Sequence, residues 1–213
     1  MLKLKNLRIL LSIILSIYFL GLVPQHLGAE EIFQQGDHCL AYKAKETILL
    51  FVDSDVIGKT CKISARLESE GGNTRYVVSF PIRSLYSGID MRDEDVNKIL
   101  SVESHPYIRF VSNFVTGEQV VEALIQGKTT ISGILEVGGR PYKVIFPLKL
   151  TENSGGWLVT GKLVTSLSKF GLELPVVLGG VVGKVLDHLE LLVHLRFKMV
   201  QGLAELQAES LSQ

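Results

Sequence analysis

Apolar and polar residues begin to alternate at Thr60: Cys61, Ile63, Ala65 and Leu67 fall on one side of an extended chain, Thr60, Lys62, Ser64, Arg66 and Glu68 on the other. Successive side chains of a strand point to opposite faces, so this period of two predicts a strand with one dry face. Gly71-Gly72-Asn73 supplies turn residues, after which Tyr76, Val78, Phe80 and Ile82 resume the period, and the two segments read as a hairpin. The pattern predicts further strands over residues 107–115, 119–125, 128–137, 142–150 and 156–165, with Gly117, Gly127, Gly138-Gly139 and Gly155-Gly156 at or near the joins. In a last strand Leu189, Leu191, Val193, Leu195 and Phe197 share one face and His188, Glu190, His194 and Arg196 the other; Leu192 alone breaks the rule.

Residues 91–100 depart from this pattern. Asp90 can cap a helix in which Met91, Val96, Ile99 and Leu100 recur at partial helical spacing behind an acidic first turn, and one short helix is predicted there. With about eight strands in a row and few helices between them, the sheet is antiparallel, and closing into a barrel is the expected answer to its two exposed edges. A barrel of roughly eight strands has an interior that either holds one small ligand or is filled by side chains, and the alternation does not choose between the two.

The first residues bear on the compartment. Lys3, Lys5 and Arg8 form a basic start, residues 9–23 are an apolar run, and Pro24 then Leu27-Gly28-Ala29 follow, as in a secretory signal cleaved after Ala29. The rival reading is a transmembrane anchor, but roughly 15 apolar residues fall short of the roughly 20 that cross a bilayer comfortably. No Cys follows Ala29, so a lipid-anchored form is not expected and the mature protein should be free in an oxidising periplasm. The chain thus divides into a signal peptide at 1–29, one barrel domain at 30–201 and a polar C-terminal tail at 202–213. Lys+Arg and Asp+Glu both number 22, with no run of like charge beyond the signal, which disfavours nucleic acid as a partner.

Two motifs in order carry a family resemblance. Phe80-Pro81-Ile82-Arg83-Ser84-Leu85-Tyr86-Ser87-Gly88-Ile89-Asp90-Met91-Arg92-Asp93 is a strand, a Ser-Leu-x-Ser-Gly turn and an Arg-Asp helix start, and His105-Pro106-Tyr107-Ile108-Arg109-Phe110-Val111-Ser112 follows as an x-Pro-x-Ile-x-Phe-x-Ser strand. The hairpin of residues 131–144 and the Phe170-Gly171-Leu172 triplet complete a pattern that resembles the YceI-like family from about Thr47 to Phe197. Leu167 and Lys169 stand where relatives usually carry Arg and Asp, and the segment from Gly36 to Ala44 lacks the family's usual lead-in. The resemblance implies a lipocalin-like barrel whose apolar lumen holds an isoprenoid chain, or in some relatives a fatty acid or fatty amide.

Phe51, Phe80, Phe110, Phe114, Phe146 and Phe197 recur on strands where they could share the inner face with Ile108, Ile131 and Leu191. From the residues alone these pack a filled core; the resemblance instead makes them, with Phe170 and Leu172 of the triplet, the lipid-binding wall of a lumen. Residues 174–183 form an apolar stretch with three glycines that suits either a flap over the barrel mouth or a loop tucked beneath it. Arg92 and Asp93 read as structural, Asp93 complementing the helix N-terminus and Arg92 fixing the preceding turn.

His26, His38, His105, His188 and His194 match no metal-ligand spacing, so no metal or cofactor is expected. Cys39 and Cys61 could form a disulfide in an oxidising compartment; if one strand runs from Cys39 to Val52 and turns near Asp53, Cys61 pairs instead with a residue close to Leu49, and the bridge stays open against the alternative of a small, buried, apolar Cys61. No nucleophile elbow, catalytic triad spacing or phosphate loop is present, so a hydrolase lacks a site. The leading expectation is a periplasmic carrier for a long-chain apolar lipid, probed best against a second one, a filled-core barrel serving as a stress-related interaction module. Which lipid is held, and whether two copies form a homodimer, are beyond the sequence.

Overall fold

The computed structural model describes residues 32–48, 52–153, 156–173, 176–177 and 183–197. Almost all of them fall in one compact unit, Phe33–Gln213; of the other unit, Met1–Ile32, only Ile32 is described. The expected signal peptide, Phe51, most of the glycine-rich stretch of residues 174–183 and the C-terminal tail lie outside the described residues.

The strands in chain order are β1 (Cys39–Ile48), β2 (Val52–Thr60), β3 (Ser64–Glu70), β4 (Asn73–Pro81), β5 (Tyr107–Ser112), β6 (Lys128–Val137), β7 (Arg140–Asn153), β8 (Gly156–Thr165), β9 (Val176–Val177) and β10 (Gly183–Phe197). All the pairings are antiparallel, in the order β2-β1-β10-β8-β7-β6-β5-β4-β3, with β9 on β10. The sheet curls so that one face of nearly every strand looks inward, the lipocalin-like arrangement expected. It does not close by a ladder: among the described residues β2 and β3 are not paired, and Lys59 and Tyr86 instead exchange two 3.0 Å backbone bonds that tie β2 to the segment after β4. The dry face expected on β3 is consequently open, and Leu67 keeps 48% of its surface exposed.

Among the described residues that follow β1, two α-helices are present rather than one. α1 (Asp90–Ile99) is the expected element, with Ile89 at its N-cap and Asp90 in the first turn. α2 (Gly117–Gln126) replaces the strand expected over residues 119–125. Its cause is local: the Gln119 N–H donates to Thr116 Oγ1 (3.2 Å) and the Thr116 N–H to Gln119 Oε1 (2.9 Å), a capping box, while Gly127 at φ +64° ends the helix.

The reversal between Ile48 and Val52 pairs Leu40 with Thr60, and this places Cys39 beside Cys61, where they form a disulfide. Ile48 already pairs with Val52, so no single strand runs from Cys39 to Val52, and the register that follows replaces the expected pairing of Cys61 with the bridge to Cys39. A cluster of Ile82, Val102, Ile108, Val137, Phe170 and Leu189 closes one end of the curled sheet, and Ile82 at its centre is fully buried.

Candidate functional site

The inward face of the sheet encloses a cavity of about 1220 Å³, larger than the roughly 300–1,000 Å³ of most small-molecule sites. Strand alternation builds its wall. Leu40, Tyr42 and Ala44 of β1 face inward and pair with inward Val193, Leu191 and Leu189 of β10, and the same rule carries across β8, β7 and β6 through Val159, Leu150, Phe146 and Ile131. α1 lies over one part of the lumen with Val96 and Ile99, and α2 over another with Val120 and Leu124. Gly133 belongs to the same inward set: a methyl there would meet Val111 O at 2.3 Å and the Phe110 ring at 2.7 Å, so glycine gives that aromatic its room.

Of the residues expected to line the wall, Phe80, Ile108, Phe110, Ile131, Phe146, Phe170, Leu172, Leu191 and Phe197 all do. Ile108 and Phe170 also belong to the buried cluster and make the floor. Phe114 does not join them. β5 ends at Ser112, so the alternation that aimed Phe114 inward has stopped; the ring is 40% exposed and the Arg75 guanidinium sits 5.0 Å from its centroid. Leu192, the exception to the pattern of β10, alternates onto the outer side of the strand, yet it is buried opposite Ala41 on β1 and still borders the lumen. On that outer side Phe33 stacks on His194 at 5.1 Å, so the face read as wet is partly covered by the chain's own N-terminal segment.

The family model for the YceI-like domain matches residues 40–197. The chain belongs to the YceI-like family. Among solved structures, Burkholderia cenocepacia BcnA shares the fold with a TM-score of 0.54 at 16% identity, over 73% of this chain and 94% of that one. A Campylobacter jejuni YceI protein gives 0.54 at 12% identity, over 84% and 99%. A polyisoprenoid binding domain from Saccharophagus degradans gives 0.52 at 14% identity, over 74% and 94%. No curated protein is matched by the chain.

The YceI-like motifs now have physical roles. In the Phe170-Gly171-Leu172 triplet, Tyr142 Oη donates to Phe170 O (2.5 Å) and its ring meets Phe170 edge-on at 5.2 Å, which anchors the floor. Just before the triplet, Asp187 of β10 holds Ser168: its carboxylate accepts from Ser168 N (2.9 Å) and Oγ (2.5 Å). Those hydrogen bonds hold the Asp187 carboxyl below its usual value. In the Arg-Asp pair, Asp93 accepts from Ser87 N (3.0 Å), fixing the turn into α1. Arg92 does not fix that turn; it reaches from α1 to Glu46 of β1 at 3.0 Å, and both side chains border the lumen.

Three wall residues escaped the sequence reading. Glu46 is a buried charge inside an apolar strand pattern, and only its distant partner Arg92 explains it. Trp157 of β8 lines the lumen opposite Phe197, and Tyr42 does so from β1. Burial pushes the Tyr42 phenol up to about 12, and raises that of Tyr76 in the same wall. The capping signature Thr116-x-x-Gln119 was the available signal for α2 and its share of the wall.

Proposed function

We propose that this protein is exported to the periplasm and carries a long-chain apolar lipid, a polyisoprenoid in the first instance, within the curled sheet and without chemistry on it. The observation that carries this reading is the large lumen walled by aliphatic and aromatic side chains. Each methylene taken out of water contributes roughly 0.8 kcal/mol, so about ten buried methylenes give roughly 8 kcal/mol, the micromolar scale before the costs of association. No catalytic group is needed for that. The Saccharophagus degradans neighbour, described as a polyisoprenoid binding domain, supports the choice of ligand class. The Cys39–Cys61 disulfide supports an oxidising compartment, in keeping with the basic and apolar start of the chain.

Purification from the native host, followed by native mass spectrometry and lipid extraction, tests the reading. The expected result is a stoichiometric isoprenoid-type lipid on a periplasmic protein whose first residue is Glu30. A protein that carries no lipid, and takes up none when offered, would leave an interaction module without lipid as the better account. Recovery only from membranes with residues 1–29 attached would overturn export.

A further inference from the structure

At the α1 side of the lumen the apolar wall gives way to four polar side chains, Tyr42, Glu46, Arg92 and Asp95. Tyr42 projects inward from β1 with its ring laid over Gly58 of β2, where even a methyl would come within 2.2 Å of the ring. Its hydroxyl is buried and, among the described residues, is the one such side-chain atom with no hydrogen-bond partner. An unsatisfied buried hydroxyl costs stability, and phenylalanine would fill the same space without that cost. Farther along the same face, Glu46 Oε1 accepts from Arg92 (3.0 Å) and from Ser54 Oγ (2.9 Å), so the guanidinium charge is already matched. Asp95 also lines the lumen at α1, and Asp93 lies close enough to act on the Tyr42 hydroxyl. The other cation of the wall, Lys128, starts β6, at the opposite end of that strand from Val137 of the buried cluster and roughly 30 Å from it.

We propose that this corner is the head-group contact of the lumen: Tyr42 donates a hydrogen bond to an uncharged oxygen acceptor, a hydroxyl or carbonyl, on the lipid head, and the paired Arg92 leaves phosphorylated heads unfavoured. The inference rests on the lipid-carrier reading above. A phenol is protonated at neutral pH, and burial raises its pKa further, so the Tyr42 hydroxyl is available as a donor. A phosphate placed here would meet Glu46, Asp93 and Asp95 with only Arg92 to oppose them, and that cation is already engaged.

Trp157 is the chain's single tryptophan and faces the lumen, so its fluorescence reports occupancy directly. Three ligands of matched length separate the alternatives: a polyprenol, its monophosphate and an isoprenoid hydrocarbon with no head. The wild-type protein should take the polyprenol about tenfold more tightly than the phosphate. Tyr42→Phe should weaken the polyprenol roughly three- to tenfold, leave the hydrocarbon unchanged and not lower the thermal midpoint. Glu46→Gln, which releases Arg92, should strengthen phosphate binding about tenfold, a gain that misfolding cannot produce. Tighter wild-type binding of the phosphate, or equal losses of polyprenol and hydrocarbon in Tyr42→Phe, would overturn the head-group assignment while leaving the carrier standing. Failure of all three ligands to bind would remove the carrier and the head-group contact together.

Discussion

Ile82 and Phe110 both point inward, yet truncating them should have different consequences. Ile82 is fully buried in the cluster that closes the sheet, so Ile82→Ala leaves a hole and should cost about 2–5 kcal/mol in urea unfolding. Phe110 and Ile131 are half-buried and face the lumen, so Phe110→Ala and Ile131→Ala should cost less than about 2 kcal/mol while widening the ligand space. A full core penalty at both, with unchanged lipid affinity, would mean that the walls pack on each other. Most of these inward residues were legible because a strand's period of two needs no knowledge of its neighbours. Phe114 was misplaced because the period was carried past the end of β5, and Glu46 was invisible because its cation lies 46 positions away on α1.

Between elements, the informative case is α2. Val120 and Val121 favour strands by propensity, but the reciprocal Thr116–Gln119 bonds satisfy two helix-end donors at once, and Gly127 supplies the left-handed exit. Thr116→Ala should therefore cost about 1 kcal/mol, read as a lower thermal midpoint. The β1–β2 hairpin supplies the second case. Its register brings together cysteines 22 positions apart, and closing a loop of that size removes unfolded-state freedom worth about 3 kcal/mol. Cys39→Ser with Cys61→Ser should lose about that much stability in denaturant unfolding, whereas a bridge that merely decorates the hairpin would change nothing. The sequence left the bridge open because a strand's extent, unlike its period, is set by where its partner ends.

At the scale of the molecule, the segment from Phe33 to His38 is fastened over the outer face of β10: Phe33 stacks on His194, His194 Nδ1 meets Asp37 O at 3.0 Å, and the Arg196 N–H donates to His38 Nδ1 at 3.0 Å. Burial holds the His38 imidazole below its usual 6.5, so the unfolded chain binds the extra proton first. Stability from this group is complete above 6.5 and falls as pH drops from there toward the lower folded value. A denaturation series across that range should show the loss, and His38→Gln should flatten it. Chain-local chemistry alone determined the antiparallel all-β class, most of the glycine turns and the inward face of β4, β6, β7, β8 and β10, because alternation and turn residues act over a few positions. The open seam between β2 and β3, the disulfide, the Glu46–Arg92 pair and the volume of the lumen were decided only by the tertiary structure. Each depends on how far the sheet curls and which distant backbones meet, and those quantities come from summing twist and packing over all the strands rather than from any one of them.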